Sequence, residues 1–483
     1  MQTDATNFGD AFKAHVLADP AAPLIEREGR VISRGTVMSR AALLADLFRD
    51  AGVTRGEPVA LICADQPRGV EAMLALWSLG AAPVFFDIRQ TAAEIRASAE
   101  QVGATRFFTD FKRLAREPDF VLLPDRPDIL PDGMLSFDDI EDTPSIHLAT
   151  SGTTGAAKFR HRSHRDFIAL LDTNFTLIGN IHRLNGLTQG SLSFNAVATH
   201  WLRLLTYGCT LISMPLFHTL EELDRALMHP ELRSVSLAPV LIRDLLKLHD
   251  TRDIATLGPA YPQLQRFSTV GGPIAREDLQ RAHHLLSPAA CNTYSMSRAG
   301  AVAMITGKEA EERPGSVGRP LNGIEVWIED ADQNRLPAGE TGLIAVQMHW
   351  INGQIVRPGD LGRMDEDGFL YVLGRSEQLA CRRSVTINLT EIEEVVLAME
   401  GVRDCMAFAL PDARDEGDLI ALAVETGLPR DTLAREVRRH VSTMKHPDVF
   451  WVTETLPRNA SGKISLKHLK ALAEDKESGF DRF

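Results

Sequence analysis

The sequence predicts an α/β protein with a large N-terminal domain of parallel or mixed sheets covered by helices and a small α+β C-terminal domain. Three observations predict it. Short apolar runs alternate with helical stripes in two separate regions before residue 300, and the character of the chain changes near residue 374. The 483 residues are 44% hydrophobic and 24% charged, which is enough apolar material for a large core.

The first alternating region starts at Val59-Ala-Leu-Ile-Cys63, read as a buried strand. Asp65 and Pro67 mark a helix start, and Val70, Met73, Leu74 and Trp77 share one face behind it. Pro83–Phe86 is the next strand, 91–102 the next helix, and Arg106–Thr109 a third strand. That β-α-β-α-β order belongs to a parallel sheet. The second region runs from the strand Ser234–Ala238 through a helical face of Leu241, Asp244, Leu245 and Leu248 to the strand Arg266–Val270. It ends in the turn Gly271-Gly272-Pro273. Beyond residue 374, Thr390 and Glu393 have the spacing of a capping box before a stripe of Ile392, Val395, Val396 and Met399. Strands at 403–410, 419–424 and 449–453 and a helix at 432–441 complete it. The expected division is 1–373, a hinge at 374–378, and 379–483.

No segment approaches the ~20 apolar residues that span a bilayer, and no basic-then-apolar leader opens the chain. Five scattered cysteines without CxxC spacing fit reduced thiols in a cytoplasmic protein better than a disulfide framework or a zinc site. The formal net charge of −13 argues against nucleic acid, anionic membrane or a polyanionic polymer as partner.

Three segments carry chemistry. In Thr150-Ser151-Gly152-Thr153-Thr154-Gly155-Ala-Ala-Lys158, small residues let backbone N–H groups close around phosphate oxygens, and the lysine adds a compact charge. The same residues also suit a surface turn, and the spacing is not that of a Walker loop. Gly359-Asp360, with Arg375 beyond it, offers a carboxylate that can accept from ribose hydroxyls and a guanidinium near the same sugar. Asp367-Gly368 reads as a hairpin turn between them, which is compatible with that role. Pro457-Arg-Asn-Ala-Ser-Gly-Lys463 places a lysine on a polar loop, where a solvated surface cation is the ordinary reading.

Taken together, the three segments resemble the adenylate-forming superfamily: acyl-CoA synthetases, aryl-acid ligases, luciferases and peptide-synthetase adenylation domains. The resemblance extends over nearly the whole chain and includes Gly271-Gly272-Pro273, Asn292-Thr-Tyr294 and Pro314-Gly-Ser-Val-Gly318. It implies ATP-dependent activation of a carboxylic acid as acyl-AMP, with Mg2+, and then transfer to a thiol. Thr150 to Gly155 and Lys158 would hold the ATP phosphates. Tyr294 would stack on adenine and Asn292 would bond its edge, with Gly271, Gly272 and Pro273 on the other side. Asp360 and Arg375 would bind ribose, and Lys463 would bridge the acid and the α-phosphate. Glu377 matches the hinge, where the family has aspartate.

The departures are specific. After Tyr294 the family pattern has threonine then glutamate; here Ser297 keeps a hydroxyl, but Arg298 stands where the metal-binding glutamate is expected. The metal ligand is therefore unassigned, and Arg298 is open to contact with substrate or phosphate, or to none. Cys381-Arg382-Arg383-Ser-Val-Thr-Ile387 lacks the family's lysine and glycine. Arg382 and Arg383 could bind CoA phosphates or the acidic face of a carrier protein, or be solvated charges. The acid pocket would draw on Phe194, Asn195 and Val197 and on Arg298, Ala299 and Gly300. Asn195 stands where amino-acid activators place an aspartate, so the expected acid is a fatty, aryl or hydroxy acid and not an α-amino acid. The acceptor is CoA or the phosphopantetheine thiol of a separate carrier protein. A non-catalytic nucleotide- or acid-binding relative, suggested by Arg298, is the reading from another class.

Overall fold

The computed structural model describes residues 4–482 except 128–129, 131–132, 151–157, 180, 270–273, 297–299, 331, 349–353, 376–378, 383–384, 412–417, 459–463 and 475–480. At several further positions, Thr150, Lys158, Arg375 and Arg382 among them, only the backbone is described. The described residues up to Pro314 form one compact unit and those from Gly315 another.

The first unit holds two sheets. One has six strands in the order Phe120–Leu122, Phe107–Thr109, Pro58–Ile62, Ala82–Phe85, Pro144–Thr150 and Lys158–Ser163; all are parallel but the last. The expected β-α-β-α-β run lies here, with helices Gln66–Ser78 and Ala92–Glu100 as the crossovers. Thr91 and Glu94 close a reciprocal capping box on the second of these, which fixes its start. Asp65 precedes the first helix but leaves it uncapped. Its carboxylate instead pairs at 2.8 Å with both Arg27 and Arg126. Trp77, fully buried on that helix, donates to the Ser145 carbonyl at 2.6 Å and so ties helix to sheet.

The second sheet runs Arg30–Ser33, Pro23–Arg27, Leu211–Ser213, Gly186–Thr188, Ser234–Leu237, Arg266–Thr269, Ala290–Met296 and Gly300–Thr306. The inner pairs are parallel and the outermost pair at each end antiparallel. Strands buried on both faces explain why the sequence shows apolar runs here rather than alternation. Arg27 joins the sheets: it bonds Ser213 Oγ in one and Asp65 beside the other.

In the second unit, Ile324–Glu329, Gly342–Met348, Asp360–Met364 and Leu370–Arg375 form an antiparallel sheet. A hairpin, Leu379–Arg382 with Val385–Asn388, shares a core with helices Leu389–Leu397 and Arg430–His440. The same core takes in the strands Val402–Pro411, Asp418–Thr426 and Val449–Thr453. The capping box expected at Thr390 and Glu393 does not form. The helix already begins at Leu389, and the Glu393 carboxylate turns into the core to accept the Ala407 N–H at 2.8 Å. Burial took priority over the local cap.

Candidate functional site

Ser234–Leu237, Arg266–Thr269 and Ala290–Met296 run parallel, so their carboxyl ends lie side by side, where open α/β sheets receive ligands. Thr269 stands opposite Asn292 at that edge, and its buried hydroxyl donates to Asn292 Oδ1. Tyr294 lies two residues on and therefore on the same face of the strand; both side chains are half-buried. The register slips by one between Tyr294 and Ser295, a bulge that re-aims the strand from Ser295 onward.

The return strand begins at Gly300, with φ at +78°, a conformation that glycine adopts freely. A Cβ there would lie 2.4 Å from the Asn174 amide. Asn174 accepts the Ala301 N–H at 3.0 Å and donates to the Leu170 carbonyl at 2.9 Å. Arg266 bonds Thr293 Oγ1 at 2.7 Å and, at 3.2 Å, the carbonyl of Ile178, which ends the helix carrying Asn174. The sequence pattern marks Gly300 but not Thr269, Asn174 or Arg266. Their contacts cross tens of residues or more, and no local signal points to them.

Phe194 immediately precedes helix Asn195–Tyr207 without a side-chain cap bond, and the helix's buried face includes Val197. Asn195 is exposed; its Oδ1 accepts from the Thr199 hydroxyl one turn on, at 3.2 Å. The preceding loop is held by a buried relay: Trp201 Nε1 donates to Gln66 Oε1 at 2.9 Å, and Gln66 Nε2 to the Gly190 carbonyl at 2.6 Å. The Arg89 guanidinium lies 5.6 Å from the Phe194 ring centre, clamped by two bonds to the buried Asp87 carboxylate.

In the second unit, Asp360 and Arg375 occupy one rung of the hairpin Asp360–Met364 with Leu370–Arg375, and the Asp360 side chain is buried. The turn forms as expected, with Gly368 at φ +79°. Asp365 organises it, accepting the Asp367 and Phe369 N–H groups at 3.1 and 2.8 Å. Ser316, from the Pro314–Gly318 motif, accepts the Gly318 N–H at 2.9 Å and donates to the Leu370 carbonyl at 2.8 Å, which pins that motif to the same hairpin. Arg382 pairs with Val385 at the end of the hairpin Leu379–Arg382 with Val385–Asn388.

Thr150 and Lys158 face each other where the hairpin Pro144–Thr150 and Lys158–Ser163 meets its loop. Ser151 to Gly155, Gly271 to Pro273, Ser297, Arg298, Ala299, Glu377, Arg383 and Lys463 lie outside the described residues. Among the described residues, no three His, Cys, Asp or Glu side chains converge to hold a metal ion. Cys63, Cys209, Cys291 and Cys405 are buried thiols outside any disulfide.

The sequence pattern of the AMP-binding enzyme matches residues 12–352, and that of the AMP-binding enzyme C-terminal domain matches 391–463. A 2-succinylbenzoate–CoA ligase of Bacillus pumilus is 25% identical over 461 residues, 89% of this chain and 90% of that protein. A fatty acid–[acyl-carrier-protein] ligase, MmaC, of Mycobacterium marinum is 26% identical over 506 residues, 90% of this chain and 91% of that protein. Among solved structures, an O-succinylbenzoate coenzyme A synthetase of Bacillus subtilis with ATP and magnesium superposes with a TM-score of 0.79. It is 20% identical and covers 95% of this chain and 99% of its own. The two matches take in most of the chain, and the protein belongs to the AMP-binding, adenylate-forming enzyme family.

Proposed function

We propose that this protein is an AMP-forming acid–thiol ligase that activates a carboxylic acid with MgATP and passes the acyl group to CoA. The observation that carries this reading is the pairing of Asn292 and Tyr294 on one face at the carboxyl edge of a parallel sheet. A hydrogen-bonding amide and an aromatic ring there suit a flat nucleobase. Asp360 and Arg375, opposed on one rung, suit the ribose hydroxyls.

In the first step a carboxylate oxygen of the acid attacks the α-phosphorus. The bond to pyrophosphate breaks, and acyl-AMP remains. Negative charge gathers in this transition state, so a cation there contributes most; Lys463 takes that role, with Lys158 and the loop Thr150 to Gly155 on the phosphates. Mg2+, when bound with ATP, would offset charge on the phosphates that Thr150 to Gly155 and Lys158 hold. In the second step a thiolate attacks the acyl carbon and AMP leaves. The small domain from residue 379 turns about 374–378, with Glu377 as hinge, to bring Arg382 and Arg383 to the thiol side. Phe194, Asn195, Val197, Arg298, Ala299 and Gly300 line the acid site. Asn195 carries no charge to pair an ammonium, which favours an aryl, hydroxy or fatty acid. A phosphopantetheine thiol on a separate carrier protein is the second acceptor, in keeping with the carrier-protein ligase among the relatives. Among the described residues no helix is long and apolar enough to cross a membrane. Four buried cysteines outside any disulfide favour the reducing cytoplasm.

The test is pyrophosphate release from MgATP across fatty, aryl and hydroxy acids. Acid-dependent release that falls by about 10²-fold or more in Lys463→Ala supports the assignment. Release that survives the substitution removes Lys463 from the mechanism. ATP binding without release for any acid points to a non-catalytic relative.

A further inference from the structure

We infer that Asn174 is a positioning residue for the strand residues Asn292 to Met296 and for Gly300, with helix His164–Leu177 as the common brace of the walls in this unit. The inference rests on the nucleotide- and acid-binding role proposed for Asn292, Tyr294 and Gly300. Its support is geometric. Ser163 caps the helix by accepting the Asp166 N–H at 3.1 Å, so the helix starts where the hairpin of the Thr150–Lys158 loop ends. Near its other end, Asp172 accepts the Tyr207 hydroxyl, which fixes the end of the helix that begins at Asn195. Burial and Asp172 together push the Tyr207 hydroxyl far above its ordinary range, so it stays a neutral donor.

Asn174 supplies the third tie. It is 8% exposed, and both ends of its amide are used: Oδ1 by Ala301 N–H, Nδ2 by the Leu170 carbonyl. The second bond fixes which way the amide points, and the first fixes the strand. Ala301 pairs with Ser295, immediately past the bulge after Tyr294. A bulge interrupts the ladder locally, and Asn174 supplies a side-chain bond to the strand beside that interruption. Gly300 fits the same arrangement, since any side chain there would drive into the Asn174 amide. Asn174 thus couples the placement of Tyr294, Ser295 and Gly300 to the helix that follows the hairpin strand Lys158–Ser163.

The experiment compares Asn174→Ala, Asn174→Asp and Thr173→Ala in the full chain. Thr173 makes a comparable bond within the same helix, to the Ala169 carbonyl, but none to the strand. Equilibrium binding of ATP and KM for ATP and acid are measured beside thermal stability. Asn174→Ala is expected to weaken ATP binding and raise both KM values about 10-fold, with kcat changed less than about threefold. Asn174→Asp, which keeps an acceptor for Ala301 N–H, restores part of the loss. Thr173→Ala leaves binding unchanged. Unchanged ATP binding in Asn174→Ala, or losses that follow thermal stability equally in Thr173→Ala, would overturn the proposal. Should Asn174→Ala not fold, Asn174→Asp carries the test: intermediate binding at near-normal stability supports the brace, and normal binding refutes it. Absence of acid-dependent pyrophosphate release in the parent protein would count against the proposed function alone, because ATP binding still reads the brace.

Discussion

At the scale of single residues, the chemistry is readable where it sits in short motifs and hidden where it crosses the chain. A glycine, a carboxylate and a downstream arginine are enough to point to Asp360 and Arg375, and the structure sets them on one rung. Thr269 cannot be found that way: nothing near it in sequence signals that its hydroxyl holds Asn292. Asn195, assigned on sequence to the acid pocket, also accepts from the Thr199 hydroxyl, a helical i to i+4 contact that the spacing allows. A sugar-binding role for Asp360 has a direct consequence. Asp360→Ala removes the acceptor for ribose hydroxyls and is expected to raise the KM for ATP about 10-fold or more while the KM for the acid moves little. Steady-state pyrophosphate release at varied ATP measures it, and an unchanged ATP KM would remove Asp360 from the nucleotide site.

Elements are legible in proportion to how local their causes are. The parallel β-α-β-α-β run follows from apolar periodicity and cap residues, and each strand and helix of it forms within one or two residues of the sequence reading. The helix Leu389–Leu397 is the counterexample. Its spacing suggests Thr390 and Glu393 as reciprocal caps, but Glu393 is drawn inward to the Ala407 N–H, a partner that only the folded sheet provides. Burial pushes the Glu393 carboxyl up to about 7, the Ala407 bond opposes this, and Asp404 and Glu394 add to the rise. The folded protein therefore holds this proton where the unfolded chain has lost it. Stability from this group is full below about pH 4.5 and is lost as pH rises toward and through about 7. Thermal unfolding between pH 5 and 8 should show the midpoint falling in the parent protein. Glu393→Gln, which keeps an acceptor but cannot ionise, should flatten that slope; an equal slope in both would assign the effect elsewhere.

The whole molecule performs two half-reactions, which variants can separate. Arg382 and Arg383 belong to the small C-terminal region, apart in sequence from Asn292 and Tyr294. Their double alanine variant is expected to slow thiol transfer several-fold while sparing pyrophosphate release. Rapid-quench measurement of each half-reaction decides, and equal loss in both would sink the assignment. Fold class and family emerge from several motifs in order, because each is a local signal and their sequence of appearance is hard to meet by chance. The contacts that hold the motifs in place are not legible, because they are non-local. The Asn174–Ala301 bond closes a span of 127 residues. On a ribosome adding roughly 5–20 residues each second, that span takes on the order of 6–25 s to synthesise. During that interval the helix has emerged while its strand has not, so a nascent chain completes this helix–strand tie late. Binding of ATP by stalled chains of increasing length would therefore time the completion of the first unit.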